Sequence, residues 1–382
     1  MRYPSGAFLL LCLIVPAAVG WAQEGSKNPE NIFKRAVELH YSGDLEGAVR
    51  EYRAFLEVRP ERVDARSNLG AALANLGRFQ EAIEQYQRAL ALDGRNPSIR
   101  LNLAVAYYKI ARLSSASKEL AVVLTAQPEN RKALLLLADC HLRMGEFKKV
   151  VELLTPVESA EPNNRAVAYM LGLALINDKQ LEKGQVLIDR ILRDGDSAEA
   201  RLMMGTTYLT IGQNENALNE LKRAVELNPK LPMVNSLYGQ ILMRVGNVEE
   251  ATAAFQRELE NNPNDFEANL RLGALFKQEQ KNDEALGYFR RALMLRPGDP
   301  NSRFYIANLD LAAGKMAAAQ AELEALVKDA PDFVQAHVML ATVYYRLKRK
   351  ADGDREQAIV NKLNAEQQAK QPGAKENPKT DP

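Results

Sequence analysis

Residues 263–297 read PNDFEANLRLGALFKQEQKNDEALGYFRRALMLRP, a stretch closed by proline at both ends. Inside it lie two amphipathic segments with apolar residues at three- and four-residue spacing, the mark of paired short helices. The first carries Leu272-Gly273 near its middle and ends in the polar run Gln280-Lys281-Asn282-Asp283. Asp283-Glu284 opens the second, where negative charge favours a helix N-terminus. Ala285 and Phe289 follow on its apolar face, and Pro297 stops it. Asp299-Pro300 then caps and starts another helix.

Moving outward, the same unit recurs. Prolines stand at 60, 128, 162, 229, 263, 297 and 331, mostly 34 residues apart. The gap from 60 to 128 is two periods of 34, and the gap from 162 to 229 is one residue short, at 67. Units starting at Pro29, Val63, Pro97, Arg131, Arg165, Ala198, Pro232, Phe266 and Pro300 share their apolar pattern. A Leu-Gly or Leu-Ala pair falls at positions 7 and 8, as in Leu69-Gly70, Leu103-Ala104, Leu137-Ala138 and Leu171-Gly172. Alanine marks position 20 at Ala48, Ala82, Ala116, Ala217, Ala251, Ala285 and Ala319. A large apolar residue fills position 24: Tyr52, Tyr86, Leu120, Leu154, Ile188, Leu221, Phe255, Phe289 and Leu323. Small residues let two helix backbones approach, and the large ones fill the gap between them. One such helix pair buries too little apolar surface to offset its ordering entropy, so neighbouring units have to stack. No segment alternates like a strand.

Residue types at these spacings resemble the tetratricopeptide repeat family over nearly the whole chain. The resemblance implies an all-α, right-handed superhelical solenoid of about nine to ten helix-turn-helix repeats. A tenth unit begins at Val334, with Leu340-Ala341 and Tyr344 in place and a polar second helix from about Asp352 to Ala369. The family's aromatic at position 4 is mostly replaced, by Arg66, Arg100 and Arg201 among others. The missing residue near Gly195 is expected to alter stacking locally.

The repeat array is expected to span 29–369, after a lead-in at 23–28 and before a disordered polar tail at 370–382. Residues 1–22 differ in kind. Arg2 precedes an apolar run from Ala7 to Val15, broken by Pro16, and Gly20-Trp21-Ala22 offers a small-x-small cleavage site. This predicts a secretory signal cleaved after Ala22 and a periplasmic or secreted mature chain. The run is well short of the ~20 residues that cross a bilayer. Cys12 lacks the small preceding residue of a lipobox, so cleavage would leave Cys140 as the sole cysteine, read as a buried apolar side chain.

Hydrophobic content of 46% and charged content of 26% are ordinary for a folded chain. Fifty Lys+Arg against 49 Asp+Glu give a formal net charge of +1, without the basic excess of nucleic-acid or anionic-membrane binders. His40, His141 and His337 fall in different repeats, so no metal site is expected. No GxSxG, HExxH, P-loop or GxGxxG motif is present, and neither catalysis nor a cofactor is expected.

The resemblance implies that first helices line a concave face through positions 2, 5, 6, 9, 12 and 13. Carried onto this sequence, that gives Asn68, Asn102, Tyr108, Tyr169, Leu173, Leu202, Thr206, Met233, Gln240, Met243 and Arg244 as a candidate peptide-binding groove, its most apolar part between Tyr169 and Met243. Phe304, Asn308, Thr342 and Tyr345 offer further concave positions. Asn68 and Asn102, at one position in adjacent repeats, could form a carboxamide ladder along a bound backbone. The Lys/Asn/Arg clamp by which some members grip chaperone termini is absent: Phe33 and Val37 replace its first two residues. The expected function is a non-enzymatic scaffold that binds other polypeptides outside the cytoplasm. Alternatives are a chaperone-like holder of exported chains and an accessory subunit of a glycan-synthesising or glycosyltransferase complex.

Overall fold

The computed structural model describes residues 28–369 apart from Asp194. The signal segment, residues 23–27 of the lead-in and the tail lie outside the described residues. Twenty α-helices and no strand occur among those described. The chain divides into two compact units between Ala106 and Tyr107. The first unit holds α1 (Pro29–Ser42), α2 (Leu45–Val58), α3 (Val63–Asn75) and α4 (Phe79–Leu92), and α5 (Pro97–Lys109) straddles the division. The second holds α6 (Leu113–Ala126), α7 (Arg131–Arg143), α8 (Phe147–Ala160), α9 (Arg165–Asn177), α10 (Leu181–Leu192), α11 (Ala198–Thr210), α12 (Asn214–Leu227) and α13 (Val234–Arg244). It continues with α14 (Val248–Asn261), α15 (Phe266–Gln278), α16 (Asn282–Leu295), α17 (Pro300–Ala312), α18 (Met316–Asp329), α19 (Val334–Arg346) and α20 (Lys350–Ala369). Within each unit, odd-numbered and even-numbered helices pair as hairpins, and each hairpin packs on the next.

The repeat chemistry sets these boundaries. First helices begin at the residues expected from the sequence, except in the seventh repeat. Asp265 caps α15 by accepting the Ala268 amide at 2.8 Å, and Asp299 caps α17 through the Ser302 amide at 2.6 Å. Between the helices of each hairpin, one residue turns left-handed: Gly43, Gly77, Ala111, Gly145, Lys179, Gly212, Gly246, Gln280, Gly314 and Lys348. These keep the 34-residue period of the sequence, with one interval of 33, between Lys179 and Gly212. That interval contains the missing residue, and α10 has 12 residues where α8 and α12 have 14.

The seventh repeat departs from expectation. Pro232 does not open a helix; Met233 takes a left-handed φ of 72° and α13 starts at Val234. Met233 has no capping side chain, so the cap comes from α14. Glu258 accepts the Met233 amide at 2.9 Å and the Asn235 amide at 3.2 Å. This carboxyl is 1% exposed. Burial, aided by the neighbouring Asp265 charge, holds its pKa above the usual range, at about 7.

Position 20 alanines and position 24 side chains form the core. Ala48, Ala82, Ala285, Phe255 and Phe289 are all 0% exposed. Position 4 has acquired a different job from the aromatic it replaces. Arg66, Asn235 and Asn269 donate to the carbonyls of Pro60, Pro229 and Pro263, each six residues back, at 2.8, 2.8 and 3.2 Å. Arg100 does the same to Gly94, and the His337 ring nitrogen sits 3.0 Å from the Pro331 oxygen. A polar side chain here fastens the turn between repeats by satisfying a carbonyl that the preceding helix leaves open.

Candidate functional site

Concave positions converge most openly near the end of the second unit. Phe304, Asn308, Leu311 and Ala312 on α17 face Gln335, Val338, Met339, Thr342 and Arg346 on α19 across a groove of about 910 Å³. Helical spacing puts them there: residues three, four and seven apart share one face. Phe333 closes one wall, with its ring edge-on to Phe304 at 5.8 Å. The Asn308 amide reaches the Met339 sulfur at 3.9 Å. Val338 is 43% exposed although apolar. Asn364 and Gln367 of α20 complete the rim. The site is an apolar floor with amide and hydroxyl groups around it, suited to side chains and backbone of another polypeptide.

Phe304, Asn308 and Thr342 were legible as concave positions. The contribution of α20 was not, because its composition reads as a solvated cap; its 20-residue length, against 12 to 14 in the other second helices, was the available signal.

The residues expected to form the groove between Tyr169 and Met243 do not form one surface. Leu173 and Leu202 are 0% exposed and Thr206 is 4% exposed. The Thr206 hydroxyl donates to the Leu202 carbonyl at 2.7 Å. Leu202 and Thr206 are correspondingly removed from any binding surface, because contacts between successive first helices consume them. Tyr169, Met233 and Gln240 instead line a small pocket of about 180 Å³, to which Leu173 also contributes wall. Gln240, Met243 and Arg244 border a separate shallow depression with Arg271. The Arg244 guanidinium donates to the Leu209 carbonyl at 3.1 Å.

Tyr108 is committed to a local cluster. Its hydroxyl donates to Asp139, which also accepts from Arg143 Nε at 2.7 Å, while the Arg143 guanidinium lies 5.4 Å from the Tyr108 ring centre. Burial, then the Asp139 charge, pushes the phenol pKa up. Asn68 and Asn102 are half-buried, and no hydrogen bond joins them among the described residues. Asn68 turns to the buried Tyr52 phenol, so the carboxamide ladder is not formed.

Titratable groups elsewhere are dispersed. His40 lies near Asn75, His141 beside Glu146, and His337 between Glu356 and Pro331. No group of three metal-capable side chains occurs among the described residues. Cys140 is fully buried, and burial pushes its thiol pKa up to about 12.

Comparison with known proteins agrees with this architecture. Two tetratricopeptide repeat models match: one at residues 33–97, 202–265 and 236–300, the other at 74–129 and 276–342. Residues 119–186 match the model described as anaphase-promoting complex, cyclosome, subunit 3. No curated protein matches the sequence. A tetratricopeptide repeat protein from Parabacteroides merdae ATCC 43184 is similar in structure, with a TM-score of 0.53 and 16% identity over 61% of this chain and 93% of that one. The APC/C hetero-tetramer Cut9-Hcn1 also aligns, with a TM-score of 0.53 and 14% identity over 89% of this chain and 88% of that one. At such identities these likenesses speak to fold alone. The sequence period, the hairpin stack and the matched segments together establish that the chain belongs to the tetratricopeptide repeat family.

Proposed function

We propose that this chain is a non-enzymatic scaffold acting outside the cytoplasm, and that its groove between α17 and α19 receives a segment of a partner polypeptide. The observation that carries this reading is the groove of about 910 Å³ with Val338 exposed in its lining. An exposed apolar side chain bordered by polar groups gains by covering. Gln335, Val338 and Thr342 all point outward from one face of α19, so they contribute little to the fold. Location outside the cytoplasm rests on the signal-like residues 1–22; among the described residues, no helix is long and apolar enough to cross a membrane.

The test uses crosslinking and mass spectrometry on cells expressing the wild type or a Val338→Glu/Thr342→Glu double variant. The dominant partners of the wild type should be lost at least tenfold in the variant, with helicity by circular dichroism unchanged. The same partners captured equally by both would reject the groove. Amino-terminal sequencing of the mature chain should begin at Gln23; an intact Met1 would reject export by signal cleavage.

A further inference from the structure

Within the second unit, residues far apart in sequence meet beside the small pocket. Arg143, at the end of α7, donates from Nη1 to the Asn262 side chain at 2.9 Å, although the two residues are 119 apart in sequence. Arg296, after α16, donates from Nε to the Arg143 carbonyl at 2.9 Å. These bonds tie α7 to the segments that follow α14 and α16, beside a pocket lined by residues of α7, α9, α13 and α15. Its volume is about 180 Å³. A volume of roughly 150 Å³ accommodates a benzene molecule, so this pocket has room for one ring or branched aliphatic body.

Its chemistry is uneven. Met170, Leu173 and Leu237 give an apolar wall. The acids that reach it are already engaged: Asp139 by Tyr108 and Arg143, Asp265 by Ser236 and the Ala268 amide, and Glu267 by Arg271. Arg296 differs. Its guanidinium lies 3.8 Å from the centre of the Phe266 ring, and a Cβ built on Gly145 would approach it to 3.3 Å, so it is held on two sides. Only Nε has a hydrogen-bond partner, and no carboxylate comes within ion-pair distance among the described residues. Burial lowers its pKa, the sign of a cation stripped of water without a contacting anion. The Tyr169 phenol and the Gln240 amide add two groups with unspent hydrogen-bonding capacity.

We propose that this pocket binds a small free monocarboxylate with an apolar body, its carboxylate on the outer nitrogens of Arg296 and its body against Met170 and Leu237. A carboxylate matches the guanidinium fork, and Asp139, Asp265 and Glu267 in the same lining disfavour a ligand with a second negative charge. The site is separate from the α17–α19 groove and does not depend on it. A bound acid would bridge helices far apart in sequence.

Calorimetry on the full chain tests this with 3-phenylpropionate, its neutral amide 3-phenylpropanamide, and a tetrapeptide ending in phenylalanine. The acid should bind at one site per chain, at least tenfold tighter than the amide, and tighter than the peptide. Arg296→Gln should lower acid affinity at least tenfold and leave the weak amide binding unchanged. Should that variant fold poorly, an azide-bearing photoreactive analogue of the acid on the wild type gives a second reading, and its label should fall on Met170, Met233 or Phe266. Equal binding of acid and amide, no binding at millimolar acid, labelling elsewhere, or tighter binding of the peptide would each overturn the proposal. Retained acid binding in Val338→Glu/Thr342→Glu is expected whether or not that variant loses its partners.

Discussion

At the scale of single residues, position 8 is read against position 24. A methyl added at Gly273 would sit 2.7 Å from the Phe289 ring, and Gly70 and Gly239 stand in the same relation to Tyr86 and Phe255. The facing side chain need not be aromatic: a methyl added at Gly205 would sit 2.5 Å from the Leu221 side chain. At these positions the glycine is required by the volume of the facing side chain rather than by backbone angle. Gly273→Ala should destabilise the chain by about 1–3 kcal/mol, the usual cost of overpacking a core. Gly287, inside α16, has nothing within 4 Å of an added Cβ. Gly287→Ala should instead stabilise by ~0.5–1 kcal/mol, since alanine loses less entropy in a helix. Urea denaturation of both variants checks the pair, and equal effects would show that contact with the Phe289 ring does not set the cost at Gly273.

At the scale of elements, the start of α13 depends on a group borrowed from α14. The two amides held by Glu258 belong to a helix start that lacks its own cap and carries a left-handed methionine. The carboxyl has a folded pKa of about 7 against an ordinary 4.5, so the native state binds this proton more readily than the unfolded chain. Stability from this group is then present at acid pH and falls as pH rises through that window. Between pH 5 and pH 8, the wild-type urea midpoint should drop further than that of Glu258→Gln, which cannot ionise. Parallel pH profiles would show that Glu258 is not the titrating group. Sequence reading missed this element because Pro232 keeps the repeat register and imitates a helix start; nothing local in the sequence announces that Met233 will turn the chain the other way.

At the scale of the whole molecule, hairpins contact their neighbours, so damage at one end should stay there. The last helix, α20, does more than shield. Glu356 meets the buried His337 ring at 2.6 Å, Val360 is 5% exposed, and Gly353 gives way to the Tyr345 ring. Ending the chain after Arg349 would uncover Leu340 and Tyr344 on α19. Amide exchange in α17 to α19 should speed up at least tenfold in that truncation, while α1 to α4 keep their wild-type rates. Uniform acceleration through all helices would mean that the array unfolds as one cooperative block.

The period of 34 residues, the small residues at positions 8 and 20 and the large ones at 24 determined by themselves that this chain makes stacked helical hairpins, because those residues act on their nearest neighbours in sequence and in space. Tertiary structure alone decided which concave positions stay open. Leu202 and Thr206 share the concave register of Phe304 and Thr342, yet within the second unit the bonds among Arg143, Asn262 and Arg296 join residues more than a hundred positions apart. A repeat pattern carries information over one or two units, and the path of the stack accumulates over many.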